Sequence, residues 1–192
     1  IVLDEKAIPG TPAAEYFRIK SDTVYEIGLT PNRIDAASHY GTARDLAAFF
    51  ALSGKVKLKK PDISKFATDN FSLNIPIEIK DTEGCRRFTG LSISDAEIKP
   101  SPNWMQTKLK AIGLTPINNV VDITNYVLYE LGQPLHAYDT DKLNGSKIIV
   151  QRLPQGTKFV TLDENERKLS NQDVMVCDSK EPVCIAGVFG GL

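Results

Sequence analysis

The densest group of side chains able to do chemistry lies between residues 122 and 138: Asp122, Thr124, Asn125, Glu130, Gln133 and His136, with Tyr126 and Tyr138 among them. An imidazole can donate, accept or act as a base near neutral pH, and amide and hydroxyl groups beside it can orient a polar substrate. His136 follows Pro134 at a transition from helix to loop, where a side chain can be aimed into a cleft. Asp122, Asn125 and Tyr129 are spaced by three and four residues and so share one helix face, while Val121, Val127 and Leu128 occupy the other. Periodicity alone favours a solvated polar face over a site, because any surface helix has one.

Other chemistries find less support. The second histidine, His39, falls inside a predicted helix, where a structural role or a partly buried hydrogen bond is expected. No H-E-x-x-H pattern pairs ligands for a metal. Cys85, Cys177 and Cys184 are odd in number and lack C-x-x-C spacing, which argues against a disulfide framework or a zinc knuckle and fits a reducing cytoplasm. Cys177 and Cys184 sit in apolar runs and read as core; Cys85, beside Arg86 and Arg87, has no neighbouring base to activate it. The run Ala186-Gly187-Val188-Phe189-Gly190-Gly191 lacks the Lys-Ser/Thr of a phosphate loop. Its glycines suit a small-molecule pocket instead, since residues without Cβ admit close backbone approach and leave amide donors uncovered.

The elements that must position these groups follow from periodicity and turn chemistry. A strand is expected around Val24 to Leu29, and a helix from Ile34, Ala37, Tyr40, Leu46, Ala47 and Phe50, stopped by Ser53-Gly54. Lys55, Lys57, Lys59, Lys60 and Lys65 mark a solvated linker in which Val56 and Leu58 alternate as an edge strand would. Phe71, Leu73, Ile75, Ile77 and Ile79 alternate as a strand that Pro76 pushes to an edge or a bulge, and a second strand is expected at Phe88 to Ile93. Ser101-Pro102 predicts an N-cap and first-turn proline for a helix through Met105, Leu109 and Ile112 that Gly113 ends. A further helix runs from Asn119 to Leu131, halted by Gly132-Gln133-Pro134. Short strands follow at Ile148-Ile149-Val150, Phe159 to Leu162, Val174-Met175-Val176 and Val183-Cys184-Ile185. Helices precede strands without strict β-α-β alternation, so an α+β fold is expected rather than a doubly wound sheet.

Bulk properties bound the function. The chain has 192 residues, 42% of them hydrophobic, and a net charge of -1 from 23 basic and 24 acidic side chains, which describes an ordinary globular chain without a polybasic surface. Contact with RNA is therefore expected to be local, and neither DNA nor a membrane is an expected partner. No apolar run approaches the roughly 18 residues of a membrane span. The absent initiator Met and the closing Gly190-Gly191-Leu192 read as boundaries within a longer polypeptide.

Three blocks in order resemble the β subunits of bacterial phenylalanyl-tRNA synthetases. They are Thr30-Pro31-Asn32-Arg33-Ile34-Asp35 with Gly41-Thr42-Ala43-Arg44-Asp45-Leu46; Val120-Val121-Asp122-Ile123-Thr124-Asn125-Tyr126-Val127 running into Leu131-Gly132-Gln133-Pro134-Leu135-His136-Ala137-Tyr138-Asp139; and Ile185-Ala186-Gly187-Val188-Phe189-Gly190-Gly191. The resemblance is weakest from Lys55 to Asn70. It implies a three-layer sandwich of two β-sheets and a helical layer, an editing domain over residues 26–192 preceded by a connector at 1–25, and hydrolysis of tyrosine wrongly attached to phenylalanine tRNA. It further implies His136 and Asn125 as catalytic residues, Thr124, Gly187 and Gly190 as substrate-binding residues, and no cofactor or metal in this segment. ATP and magnesium belong by resemblance to the parent enzyme, an α2β2 assembly whose α subunit carries aminoacylation. The implied partners are that α subunit and the 3′ end of phenylalanine tRNA carrying tyrosine. Thr115 departs from an arginine common in the family, and a glutamate that reads the tyrosine hydroxyl is expected beyond Leu192. Those departures leave a non-catalytic scaffold or tRNA-docking module as one alternative. A free-standing enzyme whose glycine turn binds a nucleotide is the other.

Overall fold

The computed structural model describes residues 2–19, 21–54 and 56–192. Ile1, which opens the chain, Lys20, and Lys55 of the lysine-punctuated segment lie outside the described residues. Among the described residues four α-helices are formed: α1 (Ala13–Tyr16), α2 (His39–Ala51), α3 (Asn103–Ala111) and α4 (Asn119–Leu131). Seven strands accompany them: β1 (Ile77–Ile79), β2 (Ile148–Arg152), β3 (Lys158–Val160), β4 (Glu166–Lys168), β5 (Val174–Cys177), β6 (Pro182–Ile185) and β7 (Phe189–Gly190). The five-stranded sheet has the order β1-β2-β5-β6-β7, and β3 pairs with β4 in a separate hairpin. The expected α+β class with two sheets is what the chain adopts.

β1 runs parallel to β2, and the crossover that a parallel pair requires contains α3 and α4. All other pairings in the sheet are antiparallel. As the proline predicted, β1 is an edge strand; the Pro76 carbonyl accepts from the Ile148 amide at 3.0 Å, and the paired strand begins only at Ile77. The first part of the expected strand, from Phe71 to Ile75, does not form, nor do those at Val24 to Leu29, Val56 to Leu58 and Phe88 to Ile93. Alternation supplies one apolar face, but a strand also needs a neighbour for its backbone groups, and among the described residues these segments have no strand neighbour.

In the sheet the alternation does its work on both faces. Ile149, Met175 and Cys177 pack with Phe159 and Leu169, so the β3–β4 hairpin covers one face. Ile148, Val176 and Cys184 pack with Leu143 and Tyr138 on the other. Burial on both sides explains why β2 opens with three consecutive apolar residues rather than an alternating pattern. Cys177 and Cys184 are core residues, as read from the sequence.

α4 contacts both α2 and α3. α2 is shorter than its apolar stripe predicted: a 3-10 turn at Ile34–Ala36 comes first, and the Ser38 hydroxyl then caps the helix by accepting from the Gly41 amide at 2.9 Å. Gly41 allows the turn to fold back, because a Cβ there would stand 2.8 Å from the Ala36 Cα. Exposed ion pairs from Arg33 to Asp35 and Asp45, and from Arg44 to Asp35, link the turn to the helix. His39 becomes the exposed first residue of α2, not a partly buried one. α3 also shifts by one residue. Pro102 takes the capping position, and the Ser101 hydroxyl instead donates to Asp122 Oδ2 at 2.5 Å.

Candidate functional site

α4 delivers the central motif, and its bounds match those read from the sequence. The Asn118 side chain accepts from the amides of Val120 and Val121 at 3.0 Å each, satisfying donors that a helix start leaves open. Gly132 ends it in the left-handed region at φ 79°, a conformation that costs a side-chain-bearing residue more. Asp122 is not on a solvated face. It is 1% exposed, and its second oxygen accepts from the Ile117 amide at 2.8 Å, so it ties α4 to the residue just before the α3 cap and to the irregular segment between the two helices. A carboxylate this deep requires such partners, which is why the helix-face argument failed for it.

The three sequence blocks meet end to end. A Cβ on Gly132 would lie 3.4 Å from that of Ser38, so the start of α2 abuts the end of α4. Residues 133–139 then run without regular structure and bring His136 to the last block: a Cβ on Gly190 would be 2.6 Å from His136 Cε1, 3.2 Å from its Nε2 and 2.9 Å from Leu162 Cδ1. His136 and Leu162 thus flank a floor that only glycine can make. The Tyr138 ring meets the imidazole edge-on, with centroids 4.7 Å apart.

His136 is solvent-exposed over part of its surface, yet the packed side of its ring is shielded, and this desolvation holds its pKa below the usual imidazole value of about 6.5. The imidazole is accordingly neutral at pH 7 and has a free lone pair. It can take a proton from a water or hydroxyl placed at its exposed edge. Among the described residues no hydrogen bond joins it to another side chain.

Of the other predicted site residues, Thr124 and Asn125 are half-buried on α4, and neither is hydrogen-bonded to His136. The Thr124 hydroxyl donates to the Val121 carbonyl at 2.7 Å. Gly187 lies at the exposed tip of the β6–β7 turn, at φ 71° with nothing within 4 Å of a Cβ, so it serves the turn's backbone.

The glycine run has fewer uncovered amide donors than expected. The amides of Ala186, Val188, Gly191 and Leu192 donate to the carbonyls of Val174, Ile185, Val183 and Val160. The close approach that the glycines permit is to protein: a Cβ on Gly191 would stand 2.6 Å from the Phe159 ring. The run also lacks the Lys-Ser/Thr that a phosphate loop uses. Leu162 went unnoticed in the sequence, where it only closed an apolar run. Its place opposite His136 comes from pairing, as its amide donates to the Gly190 carbonyl at 3.0 Å.

Among the described residues, no helix is long and apolar enough to cross a membrane. Residues 84–192 match the B3/4 domain family. The whole chain is 51% identical over 193 residues to the phenylalanine–tRNA ligase β subunit of Bacteroides fragilis, covering 24% of that protein, and 51% identical over 194 residues to that of Porphyromonas gingivalis, with the same coverage. With the β subunit of Syntrophus aciditrophicus it shares 44% over 185 residues, 95% of this chain and 22% of that protein. The chain therefore spans about a quarter of the length of the curated relatives it matches. The chain belongs to the B3/4 domain family, and it is similar along its full length to one segment of bacterial phenylalanine–tRNA ligase β subunits.

Proposed function

We propose that this chain is the part of a phenylalanine–tRNA ligase β subunit that removes tyrosine from phenylalanine tRNA by hydrolysis. The observation that carries the proposal is the His136 imidazole packed against Gly190, with Leu162 on the facing side. An aminoacyl ester is already activated, so a site need only hold its carbonyl and a water in line. His136 takes a proton as the water oxygen attacks the carbonyl carbon. The ester C–O bond then breaks, and the proton passes to the ribose oxygen that leaves, giving tyrosine and free tRNA. Asn125 and Thr124 orient the aminoacyl group, and Gly190 sets the room, while Gly187 shapes the turn that carries it. Residues 26–192 form the editing domain in this proposal, with 1–25 as its connector. The ATP and magnesium that aminoacylation uses belong elsewhere in the parent, with the α subunit as partner and the cytoplasm as the place of work.

The test compares Tyr-tRNA and Phe-tRNA, both charged on phenylalanine tRNA, as substrates of the full-length synthetase and of His136→Ala and Asn125→Ala variants. Selective Tyr-tRNA hydrolysis is expected, reduced on the order of 100-fold by His136→Ala with aminoacylation retained. Unchanged deacylation in both variants refutes the site assignment. A folded, aminoacylating wild-type enzyme that spares Tyr-tRNA would establish the scaffold reading instead.

A further inference from the structure

Tyr138 lies two residues beyond His136 in the same irregular segment, but its side chain packs on the sheet. Its ring packs on the cluster of Leu143, Ile148, Val176 and Cys184, while its edge meets the imidazole at 4.7 Å with the planes 63° apart. Residues 133–139 have no regular hydrogen bonding to fix the His136 backbone, and no side chain among the described residues hydrogen-bonds its ring. The imidazole's position is consequently set by packing, with Gly190 and Leu162 on one side and Tyr138 on another. Edge-to-face aromatic contacts are directional, so a ring anchored in the core holds its neighbour's plane as well as its distance.

We propose that Tyr138 is the positioning residue of His136, fixing the imidazole plane over Gly190 and screening one side of it from water. This inference rests on His136 being the proton acceptor proposed above. Tyr138 is the titratable group that contacts the imidazole, with the Cys184 and Cys177 thiols behind it; burial raises the pKa of all three above their ordinary values, so they are uncharged at neutral pH. Removing the ring admits water to the imidazole without changing any nearby charge.

The experiment uses the full-length polypeptide with carbon-13-labelled histidine, the His136 resonance being assigned by its loss in His136→Asn. Tyr138→Leu is expected to raise the His136 titration midpoint toward the ordinary value of about 6.5. It should also lower the rate of Tyr-tRNA hydrolysis by about tenfold or more at unchanged aminoacylation. Tyr138→Phe, which retains the ring, should restore both readouts. If Tyr138→Leu does not fold, Tyr138→Met, which fills comparable space without a ring edge, takes its place. A midpoint unmoved by loss of the ring overturns the inference, even if stability falls. A midpoint that moves in an enzyme without Tyr-tRNA hydrolysis upholds the positioning role and refutes the editing reading.

Discussion

Residues 101–192 and the residues before them use similar amounts of apolar sequence to different ends. In the later region Val150 and Met175 are fully buried, and Leu109 and Leu169 are nearly so. In the earlier one Tyr25, Ile27, Ile34, Phe49 and Phe71 all stand exposed, and Ala36 is the one buried hydrophobic residue among those described. Both carry alternating apolar runs. What separates them is that strands β2, β5 and β6 have neighbours on each edge and cover on each face, while Val24 to Leu29 has neither. Apolar pattern marks a segment as able to be buried; partners decide whether it is.

A pair of side-chain truncations in the full-length chain, read by thermal unfolding and hydrogen exchange of the surrounding amides, tests this difference. Met175→Ala should cost about 2–5 kcal/mol, and Ile27→Ala less than about 0.5 kcal/mol. A comparable loss at Ile27 would show that the earlier region is covered in the longer polypeptide.

Within the later region, Asp122→Ala is expected to cost about 1–3 kcal/mol, because it strands the Ser101 hydroxyl and the Ile117 amide. Stability retained in that variant would mean that α3 and α4 are held by packing alone. The two glycines of the last block separate by readout. Gly187→Ala should cost about 1 kcal/mol through its left-handed backbone and leave deacylation intact. Gly190→Ala presses a methyl on His136 and Leu162 and should abolish most of the activity. Equal losses of activity would place substrate at the Gly187 tip.

Smaller effects sharpen the picture. Asn118→Ala should destabilise by about 1 kcal/mol, seen as faster exchange of the first α4 amides. The pH dependence has a definite sign. Burial lowers the folded-state pKa of His136, so the unfolded chain binds a proton first as pH falls, and stability drops below about 6.5 until the folded pKa is passed. Deacylation should fall in the same direction, with a midpoint below that of a free imidazole. His136→Asn should flatten the stability profile across this window.

Much of the later region could be read from residues alone. Gly132-Gln133-Pro134 marks the end of α4 because helix-stopping chemistry is local, and β2, β5 and β6 were visible as short apolar runs. β4 could not be, since Glu166-Arg167-Lys168 is polar and wholly exposed, and pairs only because a hairpin places it opposite β3. β7, two residues long, is likewise made by its neighbours. The absent early strands failed for the converse reason. In the site, His136 and Gly190 were each nominated by their types and motif, but their contact depends on the register Cys184 to Gly190, which no spacing encodes. Leu162 arrives by that same long-range pairing.

β7 has one further effect. The Gly191 amide donates to Val183 in the large sheet, while Gly190 receives Leu162 and Leu192 donates to Val160, both beside the small hairpin. A single three-residue stretch is thus a seam sewn to two pieces of cloth. Slack in either piece is drawn through the same stitches, so the hairpin cannot swing away from the sheet without tearing up the ground on which His136 stands.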